Sequence, residues 1–274
     1  VGQAIPRDVH RDSVMFFTSG TSGKPKAIVL TEKMLMYGAQ SIASSLELSE
    51  KDSCINVMPL FHIGGVSCSV LSTLVSGGRS LCTVWTHGRD FITWLDEESP
   101  TWYYASPTFH QLVVSAADGP IINSLRLVRS GAATLLPSLF EEMSSFFNRV
   151  LPTYSMTECM PIASTMDLID PKSVGKAIGP TIRISGKSIF EKGEVSIKGE
   201  MLFQDDWYNT GDIGYMDNTQ RLYLCGRSKE IINVGGETIS PFEIEEIIKR
   251  HNKSVENCIA FSSPHPILGE CVSI

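Results

Sequence analysis

Thr18, Ser19, Gly20, Thr21, Ser22, Gly23, Lys24, Pro25 and Lys26 put four hydroxyls, two glycines and two lysines into nine consecutive positions, directly behind the apolar run Val14–Phe17. Glycine lets the backbone turn tightly enough to aim N–H groups at oxygen, hydroxyls donate further hydrogen bonds, and lysines supply charge. Such a stretch suits a polyphosphate. It is not a Walker A loop, which needs G-x-x-x-x-G-K-[ST] opening a helix: Gly20 and Gly23 are separated by only two residues, and Pro25 follows Lys24. On composition alone a Ser/Gly-rich surface turn is the plainer alternative, so the loop counts only if distant partners accompany it.

The elements that must position this loop read as α/β. Between Ser13 and Thr157, strand-like runs at Val14–Phe17, Ile55–Met58, Leu81–Trp85, Trp102–Ala105, Leu125–Arg129 and Arg149–Leu151 alternate with helical periodicity, the pattern of parallel strands joined by crossover helices. Leu35, Ala39, Ile42, Ala43 and Leu46 mark the first helix, with Thr31 and Glu32 at its start. After Pro171, Thr181–Ser185, Glu194–Lys198, Ile213–Met216 and Arg221–Leu224 are short alternating strands separated by turn residues, as in a small antiparallel sheet or barrel. Ser240-Pro241-Phe242-Glu243 reads as an N-cap, a proline at the first helical position and a capping-box glutamate. The expected units are residues 1–165, 166–228 and 229–274.

Composition narrows the partners. With 42% hydrophobic and 19% charged residues the chain is globular, and 23 Lys+Arg against 30 Asp+Glu leave a charge of −7. Scattered basic residues on an acidic chain give no footprint for nucleic acid, and no apolar stretch reaches the roughly 20 residues of a bilayer span. Seven widely spaced cysteines without a C-x-x-C pair argue against a disulfide framework or zinc ribbon and for a reducing compartment. The expected location is cytoplasmic, with a peroxisome as the other option.

Five further segments carry chemistry-bearing residues in order: Pro59-Leu60-Phe61-His62-Ile63-Gly64-Gly65, Ser130-Gly131-Ala132-Ala133, Tyr154-Ser155-Met156-Thr157-Glu158, Trp207-Tyr208-Asn209-Thr210-Gly211-Asp212, and Gly226-Arg227-Ser228-Lys229-Glu230 leading to Gly235–Glu245. Together with the loop they resemble the adenylate-forming superfamily: acyl-CoA synthetases, luciferases and nonribosomal-peptide adenylation domains. Ala27 and Ser155 stand where that family usually has glycine. The resemblance implies a large-domain fragment, an α/β layered part plus a small β-barrel-like part, followed by the start of a small α+β C-terminal domain.

It also implies roles. Thr18, Ser19, Gly20, Thr21, Ser22, Gly23, Lys24 and Lys26 hold the phosphates; Gly131, Ala132 and Ala133 line the adenine, on which Tyr154 stacks. Thr157 contacts phosphate, Glu158 holds Mg²⁺, Asp212 accepts the ribose hydroxyls, and Arg227 contacts ribose or phosphate. Lys229 is the hinge between large and small domains. His62 lies near the carboxylate pocket, where it orients or neutralises the acid; a lone histidine is otherwise a satisfied structural one. Trp102–Gln111 is expected beside the acyl pocket, although an aromatic stripe is more often core.

The activity implied is ATP-dependent conversion of a carboxylic acid to an acyl-adenylate, with pyrophosphate released and the acyl group passed to coenzyme A or to the phosphopantetheine of a carrier-protein domain. Both chain ends read as cut, so the expectation is a fragment with little activity of its own. The alternative is a truncated, non-catalytic protein that binds a nucleotide or a partner.

Overall fold

Ser53–Asn56, Trp102–Ala105 and Leu127–Ser130 are buried along their whole length, and strands with two buried faces belong in a parallel sheet covered on both sides. The computed structural model describes residues 12–19, 25–83, 87–121, 123–167, 170–186, 188–252, 254–255 and 258–274. A hairpin of β1 (Asp12–Ser19) and β2 (Pro25–Thr31) leads into α1 (Glu32–Ser45). The parallel sheet follows, built from β3 (Ser53–Asn56), β4 (Arg79–Cys82), β5 (Trp102–Ala105), β6 (Leu127–Ser130) and β7 (Val150–Pro152) in the order β4-β3-β5-β6-β7. A π-helix at Gly64–Leu71 running into α2 (Ser72–Val75), then α3 (Gly88–Glu98), α4 (Pro107–Ser115) and α5 (Pro137–Ser144), make the crossovers.

Side chains two apart on a strand share a face, and this alternation divides the core. Tyr103 and Val128 pack with Phe91, Phe109 and Val113 on one side of the sheet. Trp102, Tyr104 and Leu127 pack with Ile42, Cys68 and Leu151 on the other. The aromatic stretch from Trp102 is therefore mainly core: His110 bonds the Tyr103 hydroxyl through Nδ1 at 3.0 Å, and burial drops its pKa to about 3. Tyr104 lies with Trp102 on the face opposite Tyr103.

The second sheet is antiparallel. It contains β8 (Tyr154–Met156), β9 (Cys159–Ser164), β10 (Ser173–Ala177), β11 (Thr181–Ile184), β12 (Gly193–Lys198), β13 (Tyr208–Met216) and β14 (Leu222–Arg227), ordered β11-β12-β13-β14-β10-β9-β8. Its first strand begins at Tyr154, ahead of the position-166 boundary read from sequence. α1 seats directly on it, because a Cβ at Gly38 would lie 2.2 Å from the Met160 carbonyl oxygen. The remaining chain forms β15 (Ile232–Val234), β16 (Glu237–Ile239), α6 (Pro241–His251), β17 (Phe261–His265) and β18 (Gly269–Ser273), with sheet order β16-β15-β18-β17.

Thr31 does cap α1, accepting from the Met34 amide at 3.2 Å. Two local readings change. Pro25–Thr31 pairs back on β1, so the loop joins two antiparallel strands, with Thr18 opposite Lys26; Ile28, Val29 and Leu30 make that run strand-forming. The capping box at Ser240 does not form: its buried hydroxyl makes no hydrogen bond, and Pro241 with Glu243 starts α6 without it. Among the described residues no helix is long and apolar enough to cross a membrane.

Candidate nucleotide and acid site

The hairpin of β8 and β9 carries two functional groups in opposite senses. Tyr154 opens β8, and Thr157 and Glu158 form the turn before β9.

At one end, Tyr154 donates its hydroxyl to Asp212 Oδ2, while Arg227 Nε donates to Oδ1 at 2.9 Å. Asp212 and Arg227 face each other in the β13–β14 ladder, which sets the guanidinium beside the carboxylate. Gly211 precedes Asp212 at φ +78°, a conformation that costs glycine nothing and other residues a steric penalty. The Asp212 amide is held by Thr210 Oγ1 at 3.1 Å, and Thr210 in turn donates to the Val195 carbonyl. Burial pushes the Asp212 carboxyl above its ordinary value, against the pull of Tyr154 and Arg227. Burial and the neighbouring Asp212 raise the Tyr154 phenol well above its own.

These groups open on a cavity of about 520 Å³ lined by Ala132, Ala133, Tyr154, Asp212, Arg227 and, from α6, Phe242. Ala132 sits at φ +65°, a strained position for a residue with a Cβ, and one that turns the loop after β6 along the cavity wall. Gly131 is behind that wall: a Cβ there would lie 2.9 Å from Tyr104 and Thr153.

At the other end, Glu158 has a side chain only 10% exposed and accepts from Lys26 Nζ at 3.4 Å and from the Tyr208 hydroxyl at 3.3 Å. Lys26 also lies 5.8 Å from the Tyr208 ring centre. Burial opposes the Lys26 charge, but Tyr208 and Glu158 outweigh it and raise its pKa. Burial and Glu158 keep Tyr208 a neutral phenol. In the sequence Tyr208 is simply part of the Trp207–Asp212 run, and nothing in its spacing marks it as a partner of a glutamate fifty residues away.

His62 accepts the Gly64 amide on Nδ1 at 2.9 Å, so its neutral ring carries the proton on Nε2. Burial lowers its pKa, which makes neutralising an acid by charge the poorer of its two expected roles and orienting one by a hydrogen bond the better. It is not among the residues that line the large cavity. Lys229 is exposed in the turn after β14, while its neighbour Glu230 reaches the cavity. Thr18 is partly buried beside Lys26; Gly20, Thr21, Ser22, Gly23 and Lys24 lie outside the described residues, as does the Ser19 side chain.

The two ends fit a nucleotide and a hard cation. A buried carboxylate whose partners are an ammonium and a phenol is an oxygen donor already facing positive charge, and Mg²⁺ is commonly bound by one or two carboxylates together with substrate phosphates. Among the described residues no group of three potential metal ligands occurs.

Comparison with known proteins gives the class. The chain belongs to the AMP-binding enzyme family, whose model matches residues 3–205. It is 36% identical to an oxalate–CoA ligase of Arabidopsis thaliana over 94% of this chain and 56% of that protein. It is 35% identical to a probable CoA ligase, CCL9, of Humulus lupulus over 97% of this chain and 55% of that protein. The fold matches o-succinylbenzoate coenzyme A synthetase of Bacillus subtilis, solved with ATP and magnesium ion, at TM-score 0.85 and 26% identity, covering 97% of this chain and 60% of the other. The chain thus spans a little over half the length of these relatives.

Proposed function

We propose that this chain carries the adenylation site of an acid–thiol ligase, which activates a small carboxylic acid with ATP, releases pyrophosphate and passes the acyl group to a thiol. The observation that carries the reading is the β8–β9 hairpin, which joins the Tyr154–Asp212–Arg227 group to the Lys26–Glu158–Tyr208 group. Asp212 would accept the ribose hydroxyls, Ala132 and Ala133 would lie along the base, and Thr18, Lys26 and the Gly20–Lys24 loop would hold the phosphates. Glu158 would hold Mg²⁺, which when bound offsets phosphate charge.

A carboxylate attacking the α-phosphorus brings two anions together. The chain's own contribution is then positioning and charge neutralisation rather than a covalent nucleophile. The acid oxygen forms a bond to phosphorus, the bond to the bridging oxygen of pyrophosphate breaks, and the electron pair leaves with pyrophosphate. His62, neutral, would orient the acid through Nε2–H, and Lys229 would serve as the hinge of residues 229–274 against the rest.

The names of the relatives favour coenzyme A over a carrier-protein phosphopantetheine as acceptor. Cysteine usage favours a cytoplasmic or peroxisomal setting. The test is acid-dependent ATP–pyrophosphate exchange, run beside calorimetric titration with Mg-ATP. Saturable ATP binding, with no more than slow exchange on adding a carboxylic acid, is the expected result, and absence of both would discard the reading.

A further inference from the structure

Gly64–Leu71, the helix that follows His62, has π geometry: the Ser72 amide donates to the Ser67 carbonyl, five residues back, a register that is rare overall and frequent at functional sites. Hydroxyls buried on such a helix need partners, and two of them find one close by. Ser72 donates to the Cys68 carbonyl, and Thr73 donates to the Ser69 carbonyl at 2.6 Å, each reaching four residues back. Ser67 is buried to the same degree, at 1% exposed. Its hydroxyl bonds neither the helix nor any other group among the described residues.

Ser67 lines instead a cavity of about 10 Å³, separate from the 520 Å³ cavity and about the room of a single water molecule. Leu30, Met34, Leu35, Ile63, Met160 and Met201 make most of its wall apolar, and the polar remainder is Ser67, Thr157 and Glu158. A buried water needs two to four polar partners, which these three residues can supply. Both hydrogen bonds to Glu158 fall on Oε1, from Lys26 Nζ and the Tyr208 hydroxyl, and neither of those residues lines this cavity. The cavity therefore gives the carboxylate a polar neighbour that the Lys26–Tyr208 pair does not.

We infer that this cavity binds one water molecule, to which Ser67 donates and which donates in turn to Glu158, so that Ser67 is a positioning residue for the carboxylate proposed to hold Mg²⁺. Groups bonded to a metal ligand fix its orientation. Glu158 steadied in this way keeps its place when Lys26 yields to the cation. This deepens the adenylation reading and rests on it.

The experiment is calorimetric titration with ATP at increasing Mg²⁺, on the wild type, Ser67→Ala, Glu158→Ala and the double variant. Ser67→Ala should raise the Mg²⁺ concentration for half-maximal ATP binding about threefold, the scale of one water-mediated hydrogen bond, and leave ATP affinity at saturating Mg²⁺ unchanged. Added to Glu158→Ala, it should move that midpoint no further, because no carboxylate remains to be positioned. A purely structural serine would shift both backgrounds alike, which overturns the inference, as does no shift in either. Should Ser67→Ala fail to fold, a crystal structure of the wild type decides: an ordered water within hydrogen-bond distance of Ser67 Oγ and a Glu158 oxygen upholds the site, and a dry cavity overturns it. Mg²⁺-dependent ATP binding without the Ser67 effect sinks this inference only; no ATP binding by the wild type sinks the adenylation reading and this inference with it.

Discussion

Two carboxylates, Asp212 of β13 against the Tyr154 end of the β8–β9 hairpin and Glu158 in its turn, are held in different ways. Asp212 is locked: both oxygens are engaged, by Tyr154 and by Arg227, and the backbone beneath it is pinned through Thr210. Glu158 is held at longer range, at 3.4 and 3.3 Å, by a half-exposed lysine and a phenol. The difference fits the roles proposed for each. A group that must present a fixed pair of acceptors to a sugar benefits from rigidity. A group that must trade an ammonium for a metal benefits from partners that give way.

Removing Asp212 should break the comparison most severely. Asp212→Ala leaves Tyr154 and Arg227 without their acceptor and would delete the proposed ribose contact; the expected loss of ATP affinity is about 100-fold, the scale of two hydrogen bonds to a charged group. Titration calorimetry measures it, and a loss under about threefold would show that ribose is held elsewhere. Glu158→Gln should cost about tenfold, and only with Mg²⁺ present, because it removes one metal contact. Equal losses with and without Mg²⁺ would contradict the cation role.

Acid should act on the rigid end. Asp212 must be ionised to accept hydroxyls, and burial places its pKa above the ordinary carboxylate value. ATP affinity should therefore fall as pH drops through that raised value, earlier than for an exposed acid, and Asp212→Asn should lose this pH dependence. The sign for folding is the reverse. A raised native pKa favours the fold most below the ordinary value of 3.8, and that contribution disappears as pH rises through the native value. The smallest effect belongs to Tyr208→Phe, which keeps the ring and deletes one hydrogen bond to Glu158. The Mg²⁺ concentration for half-maximal ATP binding should rise about threefold, with ATP affinity at saturating Mg²⁺ unchanged.

How much of this was legible depended on how local the chemistry is. Lys26, Thr157, Glu158, Asp212 and Arg227 sit in short runs that stand out by residue type, and the structure pairs Lys26 with Glu158 and Arg227 with Asp212. The alternation of strands and helices up to Pro152 was equally plain, since buried strands and amphipathic helices differ in period. What sequence did not show is long-range or context-bound. The pairing of β1 with β2 joins Val14–Phe17 to Pro25–Thr31, a run that the sequence did not mark as a strand. Tyr208 became a partner of Glu158 only through the packing of β13 near the β8–β9 turn. Ser67 reads as an ordinary helix serine until its burial and unpartnered hydroxyl are seen. Ser240 had the right type for a cap, yet its hydroxyl was buried away from the helix amides.

Tyr154 and Glu158 are four positions apart on one strand and its turn. Their separation is thus set by covalent geometry and a two-strand ladder, not by the relative placement of larger units. The hairpin acts as a gauge: whatever the C-terminal residues do around the cavity, the distance from sugar end to phosphate end stays constant. Inserting one residue between Ser155 and Thr157 would reverse which face each side chain meets and uncouple the two ends while leaving every side chain of the two groups present.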